Sequence, residues 1–258
     1  MVPVRSIAAF TVIVGLMLIG ALPVHGETPW KDIKIPNKLG FGLSLYNQNQ
    51  PYQIKSLELG VGGIDGSTLT ELPVQNSTTS THFRVDYWVL PFLNVFGLVG
   101  NIDSATNVDL KDFDIGLPVG FDDLKINNDG TVYGAGLVLA VGGKRWFGAL
   151  AYDYTETELS VTTSSVNAQI ITPKIGLHFD GGAVWIGAMH QNIEEVHEGT
   201  YDLPFLGAIP YRVVLEAKQP WNYTIGGTAG LTKHLVLMLQ GGFGDRKSAL
   251  VTLEYRIF

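Results

Sequence analysis

The residues of this chain best placed to do chemistry are charges set into otherwise apolar or small-residue stretches. Arg84 with Asp86 and Glu254 with Arg256 stand two apart, and Asp153, Lys174 and His178 have similar surroundings. Side chains two apart on a β-strand project from one face, so each pair would share an enclosed surface if these stretches are strands. Opposite charges in a low-dielectric enclosure pair, because a buried charge without a partner is strongly unfavourable. Two outcomes are open: an internal ion-pair network that braces a narrow wall, or a constriction that selects solutes by charge.

Two other kinds of chemistry were sought. His82, His178 and His190 are spaced among acids, with His178 two residues from Asp180, but no G-x-S-x-G signature supplies a nucleophile. Solvated histidines and a non-enzymatic chain are expected. The stretch Asn101–Gly130 carries Asp103, Asp109, Asp112, Asp114, Asp122, Asp123 and Asp129, hard oxygens that suit a divalent cation. Their spacing matches no EF-hand, and Lys111 and Lys125 dilute the charge. A solvated loop without a metal site is expected, and no cofactor is implied.

The elements that must position these charges begin after a leader. Residues 1–26 hold Arg5, an apolar run from Ile7 to Leu22, then Pro23 and Val24-His25-Gly26. That is the layout of a signal peptide cleaved after Gly26; an uncleaved anchor is the alternative, since the run approaches spanning length. The chain has no Cys, so disulfides and thiol chemistry are excluded. Its net charge of −7 gives nucleic acid no basic surface to bind. Only 16 % of residues are charged, yet no second apolar run is long enough for a spanning helix. Low charge without such a helix fits apolar residues spread over alternate strand positions.

Period-two alternation is found where that reading requires it. Tyr133, Ala135, Leu137, Leu139 and Val141 alternate with Gly134, Gly136, Val138 and Ala140; Tyr223, Ile225, Gly227 and Ala229 alternate with Thr224, Gly226 and Thr228. The last segment sets Val251, Leu253, Tyr255 and Ile257 against Thr252, Glu254 and Arg256. Ten strands are read: Tyr52–Val61, His82–Leu90, Asn94–Gly100, Thr131–Val141, Arg145–Tyr154, Ala168–Phe179, Ala183–Gln191, Asn222–Leu231, His234–Gly242 and Ser248–Phe258. Eight and twelve are the neighbouring even counts. Tight turns near Phe92, Gly143, Gly181 and Thr232 alternate with long polar connections at Gly62–Thr81, Asn101–Gly130, Thr155–Asn167 and Asn192–Trp221, and with a short one at Phe243–Lys247. This predicts an all-β, transmembrane, antiparallel up-and-down barrel over residues 52–258, with short periplasmic turns and long extracellular loops. Residues 27–51 are expected to form an N-terminal periplasmic or lumenal segment, although Gly40–Asn47 alternates well. Pro173 should mark a bulge.

Trp88, Trp146 and Trp185 fall beside the short turns, and Tyr152, Tyr154 and Tyr223 near the long connections. Two such bands are expected at the membrane interfaces. With the leader, the alternating strands and a terminal Leu253-Glu254-Tyr255-Arg256-Ile257-Phe258, the chain resembles Gram-negative outer-membrane β-barrel proteins. The resemblance implies residence in the outer membrane, with lipid and lipopolysaccharide as surroundings. It also implies recognition of Phe258 by the barrel-assembly machinery, although Tyr255 and Ile257 are out of phase with Phe258. The expected function is a narrow porin-like channel passing small solutes passively. The alternative is a closed structural or adhesin-like barrel that acts through its loops.

Overall fold

Outward-facing aliphatic and aromatic residues, alternating with small or polar inward ones, build this chain into a wall of β-strands. The computed structural model describes residues 37–59, 73–109, 124–160, 165–203 and 207–257. Residues 1–36, which include the expected leader, and Phe258 lie outside the described residues. Eleven strands follow in chain order: β1 (Leu39–Leu59), β2 (Val74–Leu90), β3 (Leu93–Val108), β4 (Leu124–Gly142), β5 (Trp146–Leu159), β6 (Ser165–Phe179), β7 (Gly182–Leu203), β8 (Gly207–Ala217), β9 (Trp221–Gly230), β10 (Leu235–Phe243) and β11 (Lys247–Ile257). Each pairs antiparallel with its neighbours, and β1 pairs with β11, closing the sheet.

β8 and β9 are two halves of one descending path along β7. Glu194 pairs with Glu216 above and His190 with Trp221 below. Between those pairs β7 has three residues and the descending chain has four, Ala217–Pro220, so one extra residue is accommodated there. The lower wall therefore has ten strands, β1–β7 and β9–β11. In the upper wall the hairpin β10–β11 has ended, and β8 pairs directly with β1 from Tyr52↔Ala217 to Leu59↔Tyr211. The barrel thus narrows from ten strands to eight.

This geometry corrects several expectations. Gly40–Asn47 is not a separate periplasmic or lumenal segment: Leu39–Asn49 is the lower half of β1, paired with β11 and β2. The wall does not begin at Tyr52; the polar run Asn47–Gln50 obscured the continuity of a strand of 21 residues. The long connections are also shorter than read, because β2, β3, β4 and β7 continue well above the apolar part of the wall. Polar side chains stitch those extensions together. Asn47 donates to Thr79 at 2.9 Å, Asn49 to Ser77 at 3.0 Å, and Asn76 to Ser104 and Thr106 at 2.9 and 3.0 Å. At Pro173 there is no bulge. Pairing of β6 with β7 lapses over Thr172 and Pro173, then resumes at Lys174↔Gly187 in the register of Ile171↔His190. The missing Pro N–H is absorbed by a local gap in the ladder.

The short connections β2–β3, β4–β5, β6–β7 and β9–β10 lie at the end of the barrel where β1 starts and β11 finishes. At one of them, Asp180-Gly181, Gly181 has φ of 89°, a left-handed conformation that glycine adopts without steric cost.

Candidate functional site: the lumen

Even-numbered residues of β1 up to Ile54, of β2 to β4, of β6 and of β9 to β11, and odd-numbered residues of β5 and β7, face inward. They line a cavity of about 390 Å³ that occupies the ten-stranded section and reaches into the collar at Tyr52, Thr157 and Glu195. Inward Gly42, Ala151 and Thr172 contribute little bulk to its lining. Its walls carry Arg84, Asp86, Asp153, Lys174 and Glu254, with His82 and Glu195. The volume is within the range of small-molecule pockets.

At the lower end the charges are tied together. Asp86, 2 % exposed, accepts from Arg256 Nη2 at 2.8 Å and from Asn94 Nδ2 at 2.5 Å. Arg256 also pairs with Glu254 and donates to the carbonyl of Asn37 at 2.8 Å. Arg84 donates to Asn94 Oδ1 at 3.2 Å and lies over the Phe96 ring at 3.8 Å. The first-strand residue opposite Arg256 is Gly40. Lys55 and Glu58 lie in the upper half of β1, far from Arg256. There Lys55 bonds Glu194 at 3.2 Å and sits 3.6 Å from Glu216. The Glu194 hydrogen bond and charge hold the Lys55 ammonium pKa above its ordinary value.

Lys174 faces the cavity with its ammonium 5.0 Å from the Trp185 ring. His178 is exposed at the turn end, its ring 4.8 Å from Phe147, and does not line the cavity. Two expected interface aromatics are misplaced: Trp185 is only 5 % exposed and donates to Gln240 at 3.3 Å inside the barrel. Trp88 is on the inward face of β2, with its Nε1 buried. Proximity to a turn had suggested the interface, but strand parity decides which side a ring faces. Trp146, Tyr154 and Tyr223 are on the outer face and exposed, and Tyr152 shares that outward phase.

The eight-stranded collar is filled on the side made by β8, β1, β2 and β3. Tyr52, Ile54, Val74, Val108, Val213 and Leu215 form a buried apolar cluster above the cavity. They interlock through the pairs Tyr52↔Val74, Val74↔Val108 and Ile54↔Leu215. An eight-stranded ring has an interior just wide enough for side chains to fill; here one side is filled, while Thr157, Leu159, Val166 and Glu195 opposite still line the cavity. Beside the cluster, His197 Nε2 and Glu195 Oε1 are 2.6 Å apart, both side chains almost wholly enclosed. Sequence reasoning missed this pair and Leu215 because they fall in the stretch read as a loop.

The outside of the lower wall is apolar. On β10 the outward positions are Leu235, Leu237, Leu239, Gly241 and Phe243, and on β11 Val251, Leu253, Tyr255 and Ile257 alternate with inward residues. Both strands have about the length needed to cross a bilayer. Above that height the outer face turns to Asn47, Asn49, Asp103, Glu156, Glu158 and Asn192. A shallow groove on the lipid side is lined by Leu139, Leu150, Ile175, Ile186, Tyr223 and Phe243.

A closed antiparallel ring with an apolar outer band and a polar, charged lumen defines an outer-membrane-type β-barrel. No protein-family model and no curated protein matches the sequence. Solved structures with similar architecture include the transport unit of the autotransporter AIDA-I from Escherichia coli (TM-score 0.42, 9 % identity, 94 % of this chain and 97 % of that one). Others are the outer membrane protein OprG from Pseudomonas aeruginosa (0.44, 12 %, 88 % and 100 %) and the toluene transporter TodX from Pseudomonas putida (0.32, 9 %, 85 % and 88 %). At these scores and identities they say nothing about cargo or mechanism.

Proposed function

We propose that the chain is a narrow conduit in a Gram-negative outer membrane, passing small solutes passively through the lumen of its ten-stranded section. The observation that carries this reading is the contrast between the two sections of one barrel. One side of the collar is packed with apolar side chains, whereas the charged cavity of about 390 Å³ lies mostly in the lower section. A barrel built only as a wall has no need of that space, since bulky inward residues would fill it and add stability. On this reading the apolar cluster is the outer constriction, and it must part for a solute to pass. The short turns face the periplasm and the strand extensions project outside. Lipid and lipopolysaccharide surround the outer band, and the barrel-assembly machinery inserts it through Phe258.

The packed collar also favours a second reading, a closed barrel whose projecting strands recognise a surface ligand. Efflux from liposomes separates the two. Barrel-containing vesicles loaded with a small zwitterion and with a fluorescent dextran should lose the first and retain the second. Retention of both supports the closed barrel.

A further inference from the structure

The change from ten strands to eight creates a fork. The tip of the β10–β11 hairpin, Gly244–Arg246, fits beneath β8, between β1 and the descending β8–β9 path. Arg246 is turned inward there and is 1 % exposed. Its Nη1 donates to Gln191 Oε1 and, at 3.5 Å, to Gln50 Oε1, and its Nη2 donates to the Met189 carbonyl at 3.3 Å. Every acceptor is neutral, and among the described residues no carboxylate pairs with this guanidinium. Arg256, an inward arginine with a bonded carboxylate, shows what a balanced site in this barrel looks like. A buried cation held only by amide carbonyls is incompletely compensated.

The surroundings carry a second, independent mark. Arg246 Nε, Gln50 Nε2, Thr224 Oγ1 and both side-chain atoms of Asn222 are buried without a hydrogen-bond partner. Gln50, Asn222 and Thr224 are each at most 2 % exposed. They are neighbours in the wall: Asn222 is the cross-strand partner of Met189, whose carbonyl Arg246 bonds, and Thr224 pairs with Gly242 of the hairpin. Buried polar atoms are otherwise nearly always paired. Here the unpaired set is mostly donors, gathered around one unbalanced positive charge.

We propose that this fork is a binding site for the carboxylate of a small organic anion. The guanidinium fork and the amide N–H groups of Gln50 and Asn222 suit a planar, two-oxygen acceptor. The anion supplies the missing negative charge and accepts from the idle donors. Gln191 and Met189, which Arg246 touches, also line the lumen cavity, so the approach is from the lumen once the Gln50 and Gln191 amides rotate aside. The inference rests on small solutes reaching the lumen, but it does not require them to cross the membrane.

The test is binding to the purified barrel in a non-ionic detergent, read by calorimetry and by melting temperature. The probes are butyrate, its neutral isostere butyramide, and inorganic phosphate. Butyrate should bind and raise the melting temperature, while butyramide and phosphate should not. Arg246→Gln should weaken butyrate at least tenfold, roughly the scale of one charge-assisted hydrogen bond. If that variant does not fold, Asn222→Leu leaves the guanidinium in place and should still weaken butyrate by about tenfold. Equal binding of phosphate, no binding of butyrate by the parent, or unchanged affinity in a folded variant would each overturn the proposal. Butyrate binding by a barrel that releases no solute from liposomes would instead sink the conduit and keep the site.

Discussion

Asp86 on β2 and Arg256 on β11 meet at 2.8 Å across a strand that separates them, because the residue between them on β1 is Gly40. A Cβ on Gly40 would stand 2.4 Å from Asp86 Oδ2 and 3.2 Å from Arg256 Cζ. The pair therefore clasps three strands at the seam where the barrel closes. Gly40→Ala should separate the two charges, and Arg256→Ala should strand the buried Asp86. Either should destabilise the barrel by about 3–5 kcal/mol, the usual cost of removing one partner of a buried pair. Unfolding in urea with a double-mutant cycle (Asp86→Asn, Arg256→Gln) measures the coupling. A coupling near zero would mean the clasp contributes nothing.

The two faces of the wall make different predictions for tryptophan. In variants that keep one Trp each, lipids with brominated acyl chains should quench Trp146, which is 49 % exposed on the outer face. Trp185 and Trp88 should be shielded inside. Strong quenching of Trp185 would place the Lys174 face of the cavity in lipid and reverse the parity of β7.

Much of the lower barrel was legible in the sequence because lipid demands the pattern that reveals it. Tyr223, Ile225 and Ala229, or Leu253, Tyr255 and Ile257, mark an outward face. Where the strands leave the apolar band that demand ends. Asn47, Asn49, Ser77 and Thr79 face outward with polar side chains, so the upper halves of β1 and β2 resembled loops. β8 was unreadable for a related reason: Pro210 lies within it and Pro220 just beyond it, and Val213, Val214 and Leu215 form a run without alternation. The lumenal charges were visible as types and spacing, but their partners were not. Asp86 and Arg256 are 170 positions apart, and only the register around Gly40 brings them together.

Orientation is testable because the chain has no native thiol. Asn127→Cys and Asn192→Cys, exposed on the extended strands, should react with an impermeant maleimide on intact cells. Lys144→Cys and Asp180→Cys, exposed at the short turns, should react only after the outer membrane is opened. The opposite pattern would turn the barrel over.

If solutes pass through the cavity, Lys174 is one of the charges they meet. Lys174→Glu should raise the cation-to-anion permeability ratio several-fold in bilayer recordings. An unchanged ratio in a conducting variant would show that the path avoids Lys174.

The central claim is that a hollow ten-stranded section is narrowed outwardly by the apolar cluster in the eight-stranded collar. Leu215, 1 % exposed at the heart of that cluster, is the residue to change. Leu215→Ser should cost about 2–5 kcal/mol of stability and loosen the constriction. Single-channel recording on the parent and on the folded variant is the direct measurement. The account predicts brief, rare openings in the parent and longer, larger ones in Leu215→Ser; a folded variant as silent as a silent parent would contradict it.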